Sequence, residues 1–262
     1  MKINRSILWA VVCLAVSFAQ SAEAHSIRPH WNWSKHSHKD KCCTPDTPSS
    51  QPTLQQILDG LVVSGPALDA NAPSGIELWD NSAGPMTAQI VADYTGKKDR
   101  VYFGMYAADD PTNRAFLLAD FLKPTDIATV SFLEDGLISI RGGLTRRSKA
   151  DGFDGPFGFF AKVAPKHEER VVLFTEADLN GGSVRAKVFQ GDGQTTLKLP
   201  CLSPGLFLPS QFLIAFETDG DDRFDDLLVL VSGIVPHVPE PRLAWLLGVS
   251  LAALAVRRVR ST

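Results

Sequence analysis

The apolar positions of this chain of 262 residues fall into three regimes. Ile7 to Phe18 and Leu243 to Val256 are uncharged, predominantly apolar runs near the two ends. Just inside them, His25 to Pro52 and Val235 to Pro241 are polar or proline-rich, with no apolar period. Thr53 can cap a short helix, TLQQILDGLVV, in which Leu54, Ile57, Leu58 and Leu61 recur at helical spacing before Gly65. The competing expectation is a strand over Leu61 to Val63 alone. From Gly75 onward the spacing changes to short runs bounded by Gly, Pro, Asn and Asp. Strands are expected at 76–79, 87–95, 100–107, 115–121, 128–135, 137–142, 157–164, 170–176, 183–190, 211–217 and 226–234. Glu134-Asp135-Gly136 between apolar runs predicts a hairpin. The runs LIAF and LLVLV are apolar on both parities, which predicts central strands buried on both faces. With no long helical period, the chain reads as mainly β, an antiparallel β-sandwich or jelly roll of roughly 160 residues.

The end regimes predict targeting. Lys2 and Arg5, the apolar run and the Ala22-Glu23-Ala24 site have the anatomy of a secretory signal peptide over 1–24, leaving His25 first. A flexible arm is expected over 25–52 and a folded domain over 53–235. The tail, 236–262, has a proline linker, a hydrophobic helix over 243–256 and Arg257, Arg258 and Arg260. Such a helix rises roughly 21 Å, short of a hydrocarbon core of about 30 Å. Flanking arginines can snorkel, so a single span is expected before any processing, with the arginines cytoplasmic and everything upstream outside.

Composition alters one part of this picture. A hydrophobic share of 44% excludes disorder over most of the length, and a mean hydropathy of -0.00 excludes a multi-span membrane protein. The net charge of -3 is an average over unlike parts. Residues 25–241 hold 20 basic and 28 acidic side chains, so the exported portion is near -8. No nucleic acid is expected as a partner.

Two constellations have the residue types of metal sites. Glu217 to Asp226 holds five aspartates, with Asp219 and Asp221 alternating as in loops that ligate Ca²⁺. Arg223 at the next alternating position, and no closing glutamate, exclude an EF-hand. A loop site for Ca²⁺ from Asp219, Asp221, Asp225 and Asp226 remains, against the alternative of a solvated turn whose aspartates cap backbone amides. Ala150 to Pro156 is a second Asp/Gly turn that could contribute. In the arm, His36, His38, Cys42 and Cys43 offer ligands for Zn²⁺ or copper; the alternative is a spacer that is simply His-rich. Removing the signal leaves Cys42, Cys43 and Cys201 in an oxidising compartment. One disulfide to Cys201, with Cys43 as the candidate partner, would staple the arm to the domain; the odd thiol could instead join two chains, and vicinal pairing of Cys42 with Cys43 is strained. The sequence holds no G-x-S-x-G, H-E-x-x-H, phosphate loop or dinucleotide fingerprint, so no catalytic residue is assigned and a non-catalytic module is expected. His167 sits in a charged turn. Trp31, Trp33 and Trp79 are candidate aromatic platforms for sugars.

Two resemblances add to these readings. Val238-Pro239-Glu240-Pro241, a short apolar helix and a terminal arginine cluster resemble the PEP-CTERM sorting signal of Gram-negative bacteria. That likeness implies recognition through Pro239, Glu240, Pro241, Arg257 and Arg258 by exosortase, a membrane transpeptidase. Delivery to the cell surface or exopolysaccharide matrix would follow. Residues 95–235, through VYFGMYAADDPTNRAFLL, ADGFDGPFGFF, LFTEADLNGG and FLPSQFLIAFETDGDDRFDDLLVLVSGI, resemble the secreted domain of unknown function 4114. Together these lead to a secreted surface or matrix protein whose module is structural or glycan-binding, stabilised by Ca²⁺. The alternatives are a periplasmic metal-binding protein using the His/Cys arm and a carbohydrate-active enzyme.

Overall fold

The computed structural model describes residues 51–95, 100–119, 122–124, 126–142, 148–164 and 170–238, all within the unit Lys41–Thr262. The signal peptide, His36, His38, Cys42, Cys43, His167, Pro239, Glu240, Pro241, the apolar run 243–256, Arg257 and Arg258 lie outside the described residues, as do Trp31 and Trp33. Among the described residues no helix is long and apolar enough to cross a membrane.

Helix α1 (Leu54–Leu61) begins with a capping box: the Gln56 amide donates to Thr53 Oγ1 and the Thr53 amide donates to Gln56 Oε1. Leu54, Leu58 and Leu61 face inward. Strand β1 (Val62–Ser64) follows without a break, so the helical and strand expectations for this stretch each hold for part of it. Gly65 ends it at φ +90°, with the Gln194–Thr195 backbone packed too closely to leave room for a Cβ.

Among the described residues the strands form three antiparallel sheets. The largest runs in the order β11 (Ala186–Gln190), β14 (Gln211–Phe216), β15 (Leu227–Ser232), β3 (Met86–Asp93), β6 (Ile127–Phe132), β7 (Ile138–Gly142) and β8 (Ser148–Ala150). The second runs β16 (Ile234–Pro236), β2 (Trp79–Asn81), β9 (Phe157–Ala164), β4 (Arg100–Ala107) and β5 (Arg114–Leu118), with β10 (Val171–Phe174) also paired to β9. β1, β12 (Thr196–Leu197) and β13 (Gly205–Leu206) make the third. β4 and β9 coincide with the expected strands at both ends. The strand expected at 76–79 forms only from Trp79, where the ladder to Phe157 and Pro236 begins. The hairpin joins β6 to β7 through Asp135 and Gly136, at φ 57° and 70°, the left-handed pair that matches strand twist.

One core draws on both large sheets: Ile90, Ile214 and Val229 from the seven-stranded one, Phe103, Phe157 and Phe159 from the six-stranded one. Each fully buried side chain of this size contributes about 1.5–3 kcal/mol. A second core lies on the opposite face of the seven-stranded sheet, where Leu213, Ala215, Leu228 and Leu230 meet Leu54 and Leu58 of α1 and Leu197, Leu199 and Phe207 around the small sheet. This is why β14 and β15 are apolar on both parities. In β6, by contrast, Ala128 and Val130 are buried between half-exposed Ile127, Thr129 and Ser131, giving the alternation of a one-sided strand.

Candidate functional site

The acidic loop connects β14 to β15, and its organising group is Glu217 at the end of β14. Its side chain is fully buried. Oε1 accepts the amides of Asp219, at 3.0 Å, and Gly220; Oε2 accepts those of Arg223, at 2.8 Å, and Phe224, at 3.4 Å. Gly220, Asp222 and Phe224 all have positive φ, at 88°, 61° and 56°. Alternating left-handed residues turn successive N–H groups toward a common point, and the Glu217 carboxylate fills that concavity. Burial opposes its ionisation, but the amides of Gly220, Phe224 and Arg223 and a hydrogen bond with Asp221 outweigh burial and hold its pKa below the ordinary glutamate value. The strain of a left-handed Phe224, about 1–2 kcal/mol, is offset by its ring, which is buried in the second core and lies 4.6 Å from Lys187 Nζ.

The structure distributes the four expected ligands differently from the expectation. Asp226 Oδ2 accepts from the Thr218 amide at 2.6 Å and the Thr218 hydroxyl at 3.0 Å. Gln51 Nε2 donates to Asp225 Oδ1 at 2.9 Å and to Asp226 Oδ1 at 3.1 Å. Asp225 Oδ2 lies 2.8 Å from Arg223 Nη2, an ion-pair contact without hydrogen-bond alignment. Asp225 and Asp226 thus anchor the loop to Gln51, three residues before α1. The carboxylates that converge are Glu217, Asp219 and Asp221, each of which brings one oxygen within 4.8 Å of one from each of the others. Glu217 went unrecognised as a member because it reads as the last residue of a strand. The signal present in the sequence was a carboxylate three residues before Gly220, at the mouth of a turn rich in free amides.

Three hard oxygens suit Ca²⁺ better than a soft metal, with carbonyls and water making up its usual six to eight ligands. Two features compete with a cation. The four amides already engage Glu217, and Arg223 Nε sits 3.6 Å from Asp221 Oδ2. One feature favours it: burial first, and then the negative charge of Asp226, raise the pKa of Asp219 to about 6, and a cation would relieve the second of these. The Asp221 amide caps Asp219 Oδ1 at 3.2 Å, so the alternative of aspartates capping backbone amides also describes part of the loop.

The other expected residues are dispersed. Cys201 is disulfide-bonded, and its partner lies outside the described residues. Trp79 is fully buried in the shared core, so it offers no sugar platform; its ring packs edge-on to Phe159 and Phe212 at 5.0 and 5.8 Å. The 150–156 turn does not join the acidic loop. Its Phe153 enters the core, and Asp154 lines a separate surface cavity of about 390 Å³ with Asp80 and Asp135. His237 Nδ1 lies 2.9 Å from Asp80 Oδ2 beside that cavity. A further buried polar group sits on the six-stranded sheet: the Tyr106 hydroxyl donates to Glu176 Oε1 at 2.9 Å, and the Thr175 hydroxyl donates to Glu77 O at 2.8 Å. Searches of family models, of curated proteins and of solved structures found no match for this chain.

Proposed function

We propose that this chain is a secreted, exosortase-processed protein of the cell surface or extracellular matrix of a Gram-negative bacterium. Its folded part acts as a non-catalytic β-sandwich module in a structural or matrix-binding role. One observation carries the reading: Pro239-Glu240-Pro241, a short apolar run and Arg257-Arg258 follow in that order behind a secretory signal. The apolar run anchors the chain in the inner membrane until exosortase acts near Pro239. Fractionation of the producing cells tests this. The chain should leave the membrane fraction for the surface or matrix, and should stay membrane-bound when exosortase is deleted or when Glu240→Ala is introduced. A chain that remains membrane-bound with exosortase active sinks the reading.

Within this role Ca²⁺ serves stability, held by Glu217, Asp219 and Asp221. What supports it is the convergence of three carboxylates with the raised pKa of Asp219. Titration with Ca²⁺ should raise the melting temperature of the wild-type chain and leave Asp219→Asn with Asp221→Asn unmoved; no shift in the wild type refutes the cation.

A further inference from the structure

We propose that the outward face of the six-stranded sheet binds an anionic polysaccharide, a proposal that rests on the matrix reading above and names its ligand class. Alternate residues of β4, β5, β9 and β10 fill the shared core, and the others point away from it. Register puts the outward residues into rows. Tyr102 stands opposite Lys162, and Lys162 opposite Val172; Gly104 stands opposite both Phe116 and Phe160; Tyr106 stands opposite Arg114 and Gly158. Arg100, opposite Ala164, extends the face by one row.

Two glycines make the floor flat. A Cβ at Gly104 would come within 2.6 Å of the Phe160 ring, and one at Gly158 would overlap the Tyr106 ring. Without them both rings lie down along the sheet and are fully buried beneath their neighbours. Above this floor Phe116 is 37% exposed, with Tyr102 5.6 Å away edge-on and half-buried.

The charges at the outward positions of β4, β5, β9 and β10 are all of one sign. Those positions hold Arg100, Arg114 and Lys162, on an exported portion that is near -8; the carboxylates of this sheet are Asp80 on β2 and Glu176 just after β10, where it accepts from Tyr106. Lys162 Nζ lies 5.7 Å from the centres of both Tyr102 and Phe116, and the Arg114 guanidinium 4.8 Å from that of Phe174. Among the described residues neither Lys162 nor Arg114 has a carboxylate within ion-pair distance. Rings orient these cations without neutralising them, so their charge stays available to a ligand.

Exposed ring edges beside unpaired cations match the two surfaces of a uronic acid polymer: the C–H face of a pyranose and its carboxylate. A neutral glycan would leave the cations unused. A nucleic acid presents one phosphate per 3.4 Å of each strand and asks for a denser basic footprint than three side chains. Complementarity is local, which lets an acidic protein hold an acidic polymer on one face.

Affinity electrophoresis of the full chain, in mild detergent, through gels containing alginate, dextran or single-stranded DNA tests the proposal. Alginate should retard the wild type in a salt-dependent way, and dextran should not. Arg100→Gln with Lys162→Gln should weaken alginate retention by about fivefold or more, with the melting temperature held within 2–3 °C, about what a 1 kcal/mol change gives at this size. Unchanged retention of the folded double variant, or equal retention by single-stranded DNA, overturns the proposal. Absence of alginate retention while the chain still fractionates with the matrix overturns it and leaves the surface reading intact. A chain found in neither surface nor matrix overturns that reading itself.

Discussion

The two large sheets share a core but have unlike outer faces. On the seven-stranded sheet the outer face of β14 and β15 is aliphatic, with Leu213, Leu228 and Leu230 under α1 and the small sheet. On β4, β5, β9 and β10 of the six-stranded sheet the outer face is aromatic and cationic, with Phe160 and Tyr106 packed, among the described residues, against side chains such as Phe116, Phe174 and Arg114. A covered face needs aliphatic residues that interlock with a second layer. A face left to cover itself needs large flat rings, and long cations whose stems lie on them while their heads stay in water. The first arrangement serves stability; the second also presents chemistry.

This contrast makes the expected effects unequal. Leu58→Ala, beneath the cover, should cost about 2–5 kcal/mol, whereas Phe116→Ala, on the open face, should cost less than about 1.5 kcal/mol. Urea unfolding of both variants measures the difference, and equal costs would mean that the two faces are packed alike. Cys201→Ser comes next. Cys201 lies between β12 and β13, in the layer over the seven-stranded sheet. Losing its disulfide should cost about 2–4 kcal/mol and disturb α1 before the six-stranded sheet. Hydrogen exchange would locate the change, and loss of protection in β4 or β9 first would contradict it.

The smallest effect concerns the open face. Burial, with the nearby charges of Glu77 and Asp178, raises the pKa of Glu176 against the hydrogen bond from Tyr106 that lowers it. A folded-state pKa above the unfolded one favours folding at low pH and loses that contribution as pH rises through the folded value. Glu176→Gln keeps an acceptor for the Tyr106 hydroxyl and removes the charge. Its stability in urea unfolding should equal that of the wild type near pH 4 and exceed it at pH 7, by under about 1 kcal/mol. An advantage that shrank with rising pH would reverse the sign.

Much of this fold was legible one strand at a time. β4, β9 and the Asp135-Gly136 turn could be read locally because alternation and left-handed turn residues are properties of neighbouring positions. β8, β12, β13 and most of β16 escaped because strands of two or three residues exist only through their partners. The site was less legible for a related reason. Asp219 and Asp221 are alternate residues of one turn and were expected together. Whether Asp225, Asp226 or Glu217 joined them depended on where Gln51, Thr218 and Arg223 came to lie.

By itself, the sequence determined the class of fold, the doubly buried strands β14 and β15, the acidic turn and the apolar runs near its two ends. All of these are written in hydrophobic period, turn chemistry and local charge. Only the tertiary structure decided that Glu217 would sit in a ring of four amides, that Trp79 would be core, and that Arg114 and Lys162 would gather on aromatic rings. Those outcomes depend on register between strands far apart in the chain, and register is settled by which faces can be buried together.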